Sequence, residues 1–129
     1  MPIGGEIVLT QKAEGGAIDA DLAIIQGTNA DQVKLPAAAG DRAKGITALK
    51  ADATGKLLPV IILGPAVGTA SAAITAGAFV KVAGATGRLQ AVGGEAAGST
   101  IEVVGMALTS AAAAGDRFDL AVVPFRYKV

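Results

Sequence analysis

Ala17-Ile18-Asp19-Ala20-Asp21-Leu22-Ala23-Ile24 is echoed in the second half of the chain by Ala73-Ile74-Thr75-Ala76-Gly77-Ala78-Phe79-Val80. A second echo comes in the same order. Gly45-Ile46-Thr47-Ala48-Leu49, with Gly55 and the apolar run Leu57 to Leu63 behind it, returns as Gly105-Met106-Ala107-Leu108-Thr109, Gly115 and the run Arg117 to Val123. Both copies close on a proline, Pro65 and Pro124. Shared order fits a duplicated unit, residues 17–65 and 73–124, in which one longer loop accounts for the wider spacing of the second echo. Self-similarity of this kind reports architecture before chemistry.

A third match does not join that register. Ala-Ala-Ala-Gly-Asp-Arg stands at 37–42 and again at 112–117, at a spacing that fits neither echo. In a chain rich in Ala and Gly it reads as coincidence or as shared turn chemistry.

Between the breaks made by Gly, Asn, Asp and Pro lie short apolar runs of strand length. They are Ile7 to Leu9, Leu22 to Ile25, Val33 to Leu35, Ala43 to Leu49, Leu57 to Leu63, Ala78 to Val82, Arg88 to Val92, Thr100 to Leu108 and Phe118 to Val123. Alanine is the best helix former, so Ala37 to Ala39 and Ala111 to Ala114 are the places to look for helix. Both meet Gly-Asp within a few residues, and an isolated helix needs about 12–15 residues to be even marginal. They read as tight connections. The expected fold is all-β: a compact barrel or sandwich of short strands.

Residues 1–16 precede the duplicated region, which with the rest of the chain makes one β domain, 17–129. Gly4-Gly5 and Gly15-Gly16 bracket Ile7-Val8-Leu9. Two readings fit: an extended arm that reaches a neighbour by strand addition, or an edge strand of the same domain. At the other end, Pro124-Phe125-Arg126-Tyr127-Lys128-Val129 holds two of the four aromatic residues beside two cations. It is either a plain last strand or an interface anchor, since Tyr, Phe and Arg are enriched at interfaces. The candidate interface residues are therefore Pro2, Ile3, Ile7, Leu9, Phe125, Arg126 and Tyr127.

Composition removes whole classes of function. The chain has 129 residues, three Phe, one Tyr and no Trp, so its core is built from Ile, Val and Leu with small residues at close contacts. A core this modest points to oligomerisation as a source of stability. Eleven basic residues balance eleven acidic ones. Nothing steers the protein toward polyanions, and near-neutral proteins associate readily. With no cysteine, thiol chemistry is excluded. With no histidine, so are the commonest general base, metal ligand and nucleophile partner.

The start, Met1-Pro2-Ile3-Gly4-Gly5-Glu6, has neither the basic opening nor the apolar core of a signal peptide. The stretch from Leu57 to Val80 carries no charged residue. Pro59, Gly64, Pro65, Gly68 and Gly77 break it, and a spanning helix needs about 20 helix-compatible apolar residues. A buried strand, a loop and another strand describe it better.

Catalytic motifs are missing too. Asp19 and Asp21 share one face of a strand but have no further ligands nearby, and read as a solvated turn. Gly40 and Gly45 have P-loop spacing, but Ile46-Thr47 stand where Lys-Ser/Thr is required. Ser71, Ser99 and Ser110 lie in no Ser-x-x-Lys or Gly-x-Ser-x-Gly setting. Dispersed cations and few aromatics make a poor platform for nucleic acid. No enzyme activity, cofactor or metal is expected.

The order of Ile74-Thr75-Ala76-Gly77-Ala78-Phe79-Val80, Val104-Gly105-Met106-Ala107-Leu108, Ala113-Ala114-Gly115-Asp116 and Leu120-Ala121-Val122-Val123 resembles the small capsid cement, or decoration, proteins of tailed bacteriophages. The first half carries the pattern more weakly, with Asp21 in place of the glycine and Lys56 in place of the turn acid. The resemblance implies a β domain, often trimeric, at the virion surface, where it binds the major capsid protein and stiffens the shell. It implies no catalytic residues and no direct contact with nucleic acid or membrane. On that reading the amino-terminal segment clamps a neighbour, and deleting residues 1–10 weakens attachment while the β domain stays folded. The alternative from another class is an accessory or ligand-binding β-barrel subunit of a cellular complex.

Overall fold

Gly15-Gly16 turns the chain back on itself after the first strand, with φ of +83° and +119° that favour glycine. The structure, a computed structural model, describes residues 6–129. Among them are nine strands and no helix: β1 (Ile7–Ala13), β2 (Ala23–Gln26), β3 (Gln32–Lys34), β4 (Gly45–Thr47), β5 (Leu57–Thr69), β6 (Phe79–Val82), β7 (Leu89–Ala91), β8 (Thr100–Ala107) and β9 (Arg117–Lys128). The fold is all-β, a compact barrel of short strands extended by a second rolled sheet. The apolar runs of the sequence each fall on one of these strands.

The first barrel runs β1-β3-β2-β4-β5 and closes by pairing β5 back to β1. β1 and β3 are parallel; the other neighbours are antiparallel. Ala13, Ile18, Ile24, Val33, Leu58 and Val60 fill its interior. The second sheet runs β5-β9-β8-β6-β7 and rolls until Leu89 of β7 forms a parallel bridge with Ala70, just past β5. Its core gathers Ala66, Val80, Val82, Leu89, Val104 and Leu120.

β5 belongs to both. Leu57 to Leu63 pairs with β1, and Gly64 to Thr69 pairs with β9. The run Leu57 to Leu63 is thus extended past Pro65 rather than ended by it. Proline has no N–H for a ladder, and it sits where the strand leaves one partner for the next. From Leu58 to Ile61 side chains on both faces of the strand are buried, as a continuous apolar run allows. Leu58 and Val60 enter the first core, while Ile61 joins Ile46 and Ala23 in the second. Leu58, Val60 and Ile61 thus weld the barrels together.

The same contacts recur in both halves. Ile18 bridges Ala51, and Ile74 bridges Ala111. Ala13 donates its N–H to Lys56 and accepts from Gly55; Ala70 donates to Asp116 and accepts from Gly115, all at 2.8–2.9 Å. Gly45 and Gly105 occupy matching strand positions, and each lies hard against a neighbouring strand. A Cβ at Gly45 would collide with the carbonyl of Ile61, and one at Gly105 with that of Ala121. β1 therefore gives the first barrel what the Gly64–Ala70 stretch gives the second.

That places part of the expected arm. Over Ile7–Ala13 the segment is a strand of the first barrel, with Ile7 opposite Leu63 and Lys12 opposite both Leu57 and Gln32. Its apolar side chains can join β5 because the glycine turn brings the chain back through β2 and β3. Pro2 and Ile3 lie outside the described residues.

The alanine tracts form turns. The Asp41 carboxylate accepts from the N–H groups of Ala37 and Ala38 at 2.7 and 3.0 Å. The Asp116 carboxylate accepts from those of Ala112 and Ala113 at 3.2 and 3.1 Å. The repeated hexapeptide marks shared turn chemistry: a side-chain acceptor holds the backbone in a tight bend and competes with helix.

Candidate interaction surface

Where β5 passes from one barrel to the other, the outer faces of the two barrels leave a groove of about 470 Å³. Val8, Pro59 and Ile61 line it from the first barrel, and Pro65, Val67 and Leu108 from the second. Leu49 and Leu108 stand on its rim, 63% and 49% exposed. Its polar lining is Asp21, Thr47 and Asp119.

Asp21 is the knot between the barrels. It has a φ of +63°, the one positive value at a residue other than glycine among the described residues. Its carbonyl accepts from the Thr69 hydroxyl at 2.9 Å, and its carboxylate lies 3.4 Å from Nε of Arg117. Exposed pairs of this kind are worth about 0–1 kcal/mol. Thr47 is already engaged: its hydroxyl donates to the Asp19 carbonyl at 2.8 Å and accepts from the Leu22 N–H at 3.2 Å. Asp119 has no ion-pair partner among the described residues.

The second feature is an aromatic ridge. β8 and β9 run on beyond the second barrel as a two-stranded ribbon, with Val103 opposite Phe125, Ile101 opposite Tyr127 and Thr100 opposite Lys128. Gly105 pairs with Val122 and Val103 with Phe125, so Val123-Pro124 face the single residue Val104 in a bulge. A bulge bends the strand and re-aims the residues beyond it. Phe125 then meets Phe79 edge-on, ring centroids 5.2 Å apart, and stacks on Tyr127 at 6.1 Å. Such aromatic pairs are worth about 0.5–1.5 kcal/mol beyond their buried area. All three rings remain 36–44% exposed.

Of the candidate interface residues, Phe125 and Tyr127 therefore come together, and Phe79 joins them. Phe79 is not legible as a member from sequence, because only the β6–β8–β9 pairing carries it there. Arg126 leaves the ridge for an ion pair with Glu102, which lies directly across the ribbon. Ile7 and Leu9 are on β1, away from the ridge, and both are exposed. Leu49, Leu108 and Asp119 carry no signal in the sequence, since the groove exists only once the two barrels meet.

Next to the ribbon, Lys81 reaches Glu95 at 2.7 Å, and the Gly93 N–H donates to the same carboxylate oxygen at 3.1 Å. The Lys81 hydrogen bond first, then that of Gly93, hold the Glu95 carboxyl below its usual range.

Ser110 accepts from the Ala76 N–H at 3.0 Å and staples a turn. Asp19 lies 3.8 Å from Lys50 at the surface. Among the described residues, no group of three or more acidic residues is placed to hold a metal ion. The uncharged stretch is β5, a loop and β6, and among the described residues no helix is long and apolar enough to cross a membrane.

No protein-family model matches the chain, and no curated protein matches it. Among solved structures, the fold is shared with the N base of the head fibre gp8.5 of bacteriophage phi29. The two superpose with a TM-score of 0.66 at 17% sequence identity, over 92% of this chain and 94% of that one.

Proposed function

We propose that this chain is a structural protein of a phage virion that binds the outside of the head. There it bridges subunits of the major capsid protein and stiffens the shell as a homotrimeric cement protein. The observation that carries the reading is the likeness to the phi29 head fibre N base, which extends over nearly the whole of both chains. The repeated contact scheme supports reading 17–65 and 73–124 as two copies of one unit. Exposed apolar surface on a chain without net charge suits a protein that works by adhesion. Many weak contacts repeated over a shell add up to tight attachment.

The alternative, a ligand-binding barrel, would need several polar groups converging in a pocket. The groove is the place for them, yet Thr47 is already engaged and Asp21 is turned to Arg117. The lining suits an apolar protein surface better than a small polar ligand.

Co-sedimentation with heads assembled from the same source's major capsid protein, and lacking this chain, tests the proposal. Saturable binding at a fixed number of copies per capsomer is expected. Folded protein that fails to bind expanded heads would overturn it.

A further inference from the structure

The repeated hexapeptide at 37–42 and 112–117 ends each time on an arginine, and the two arginines meet different surroundings. In both turns the aspartate folds back onto backbone N–H groups, Asp41 onto Ala37 and Ala38, Asp116 onto Ala112 and Ala113. Arg117 finds its counter-ion across the barrel junction in Asp21. Arg42 has no ion-pair partner among the described residues.

The backbone around Arg42 is nevertheless pinned. The Gly40 N–H donates to the Val82 carbonyl at 2.9 Å, and the Lys44 N–H to that of Ile24 at 2.7 Å. The turn so held brings Arg42 to the bulge of β9. There Arg42, Glu102 and Arg126 line a notch of about 60 Å³, with Ala43, Val103 and Pro124 among its apolar lining. Glu102 is taken by Nε of Arg126, which stands directly across the ribbon. Two guanidiniums against one carboxylate leave the notch one positive charge out of balance. Nearby groups do not correct it. Lys128, two residues on along the same face of β9, adds a cation. Lys81 and Glu95 satisfy each other.

We propose that this notch binds one carboxylate, gripped by the Arg42 guanidinium and by the Nη groups of Arg126. Glu102 engages Arg126 through Nε, so the outer edge of that guanidinium stays available. Arginine's planar fork matches a carboxylate with parallel charge-assisted hydrogen bonds. A water needs about 10–15 Å³ of such space, so the notch has room for a carboxylate head. The bound acid would do for Arg42 what Asp21 does for Arg117. Its source is an acidic side chain of a docked protein or a small free carboxylate, and the chemistry is the same. The site is separate from the groove and does not depend on the capsid reading.

Acetate, exchanged for chloride at constant ionic strength, tests it on the full chain, because screening by salt is then held fixed. The arginine Nε–Hε signals are followed by NMR. Those of Arg42 and Arg126 should shift along a saturating curve. Arg42→Gln should weaken acetate binding at least tenfold, read at Arg126, and Arg117→Gln should leave it unchanged. Circular dichroism reports whether each variant is folded. Should the glutamine variant not fold, Arg42→Lys takes its place, and should bind severalfold more weakly for want of the planar fork. A wild type whose Arg42 and Arg126 signals do not saturate overturns the proposal. So does a folded Arg42 variant that binds acetate as the wild type does.

Co-sedimentation with heads separates the two sources. If folded Arg42→Gln binds heads at least tenfold more weakly, the carboxylate belongs to the capsid. If it binds them like wild type, the notch takes a small free carboxylate. Heads that bind neither protein overturn the capsid reading, and the acetate result stands by itself.

Discussion

Asp21, at φ +63°, stands where Gly77 stands at φ +90° in the second half of the chain. One copy of the turn uses the residue without a Cβ; the other uses an acid that also reaches across to the neighbouring barrel. Left-handed backbone costs an ordinary residue roughly 1–2 kcal/mol, and aspartate is among the few that tolerate it.

Asp21→Val should therefore lower stability by about 1–2 kcal/mol, the larger cost falling on a β-branched residue at positive φ. Asp21→Gly should change it by less than about 1 kcal/mol, relief of the backbone offsetting the loss of the Arg117 contact. Urea denaturation with fitted midpoints checks both. Equal effects would mean that the backbone at Asp21 is not what constrains the position.

Gly45→Ala and Gly105→Ala should each destabilise by about 1–3 kcal/mol or more, because the new methyl group meets backbone, which yields less easily than a side chain. Gly93→Ala, with nothing within 4 Å of the added carbon, should stay within about 0.5 kcal/mol of wild type. Thermal melts of the three variants side by side decide the matter.

Glu95 should make stability depend on pH in the acid range. Its carboxyl is lowered in the folded protein by Lys81 and then by the Gly93 N–H, from a usual value of 4.5. A lowered folded value means that the native state holds this proton less tightly than the unfolded chain does. The stabilisation is then complete above the usual value and is lost as pH falls through the folded one. Glu95→Gln should flatten the acid limb of a stability profile taken from neutral pH down to well below the usual value of 4.5, and leave the slope elsewhere unchanged.

Deleting residues 1–10 should destabilise the domain, on the order of 3 kcal/mol from the lost ladder alone. The deletion takes Ile7 to Thr10 from the seam with Pro59–Leu63. A truncation that looks harmless in the sequence thus acquires a cost once β1 is paired. Hydrogen exchange should show faster loss of protection in the β5 residues facing β1 than in those facing β9.

Strand positions are legible in the sequence because Gly, Asn, Asp and Pro punctuate them, and because Phe118, Leu120 and Val122 alternate inward along β9. The strands' true lengths are not. Pro65 looks like a stop in one dimension and proves to be a crossing between two sheets. The register of the two halves can be read from Gly45 and Gly105, which keep their place because backbone presses on both. Of the candidate surface, Phe125 and Tyr127 stand out as aromatics beside cations at the end of the chain. Phe79 and the groove do not, being made by pairings between distant segments.

β5 has one more consequence, for how load travels. The two barrels share a backbone rather than a tether, so a force pulling one from the other is carried along a single extended strand. The ladders with β1 and β9 lie side by side with that strand. Parting the barrels along it means sliding many bonds at once instead of peeling them in turn. The molecule would resist as a stiff strut from one barrel to the next, with its give confined to the contacts outside the fold.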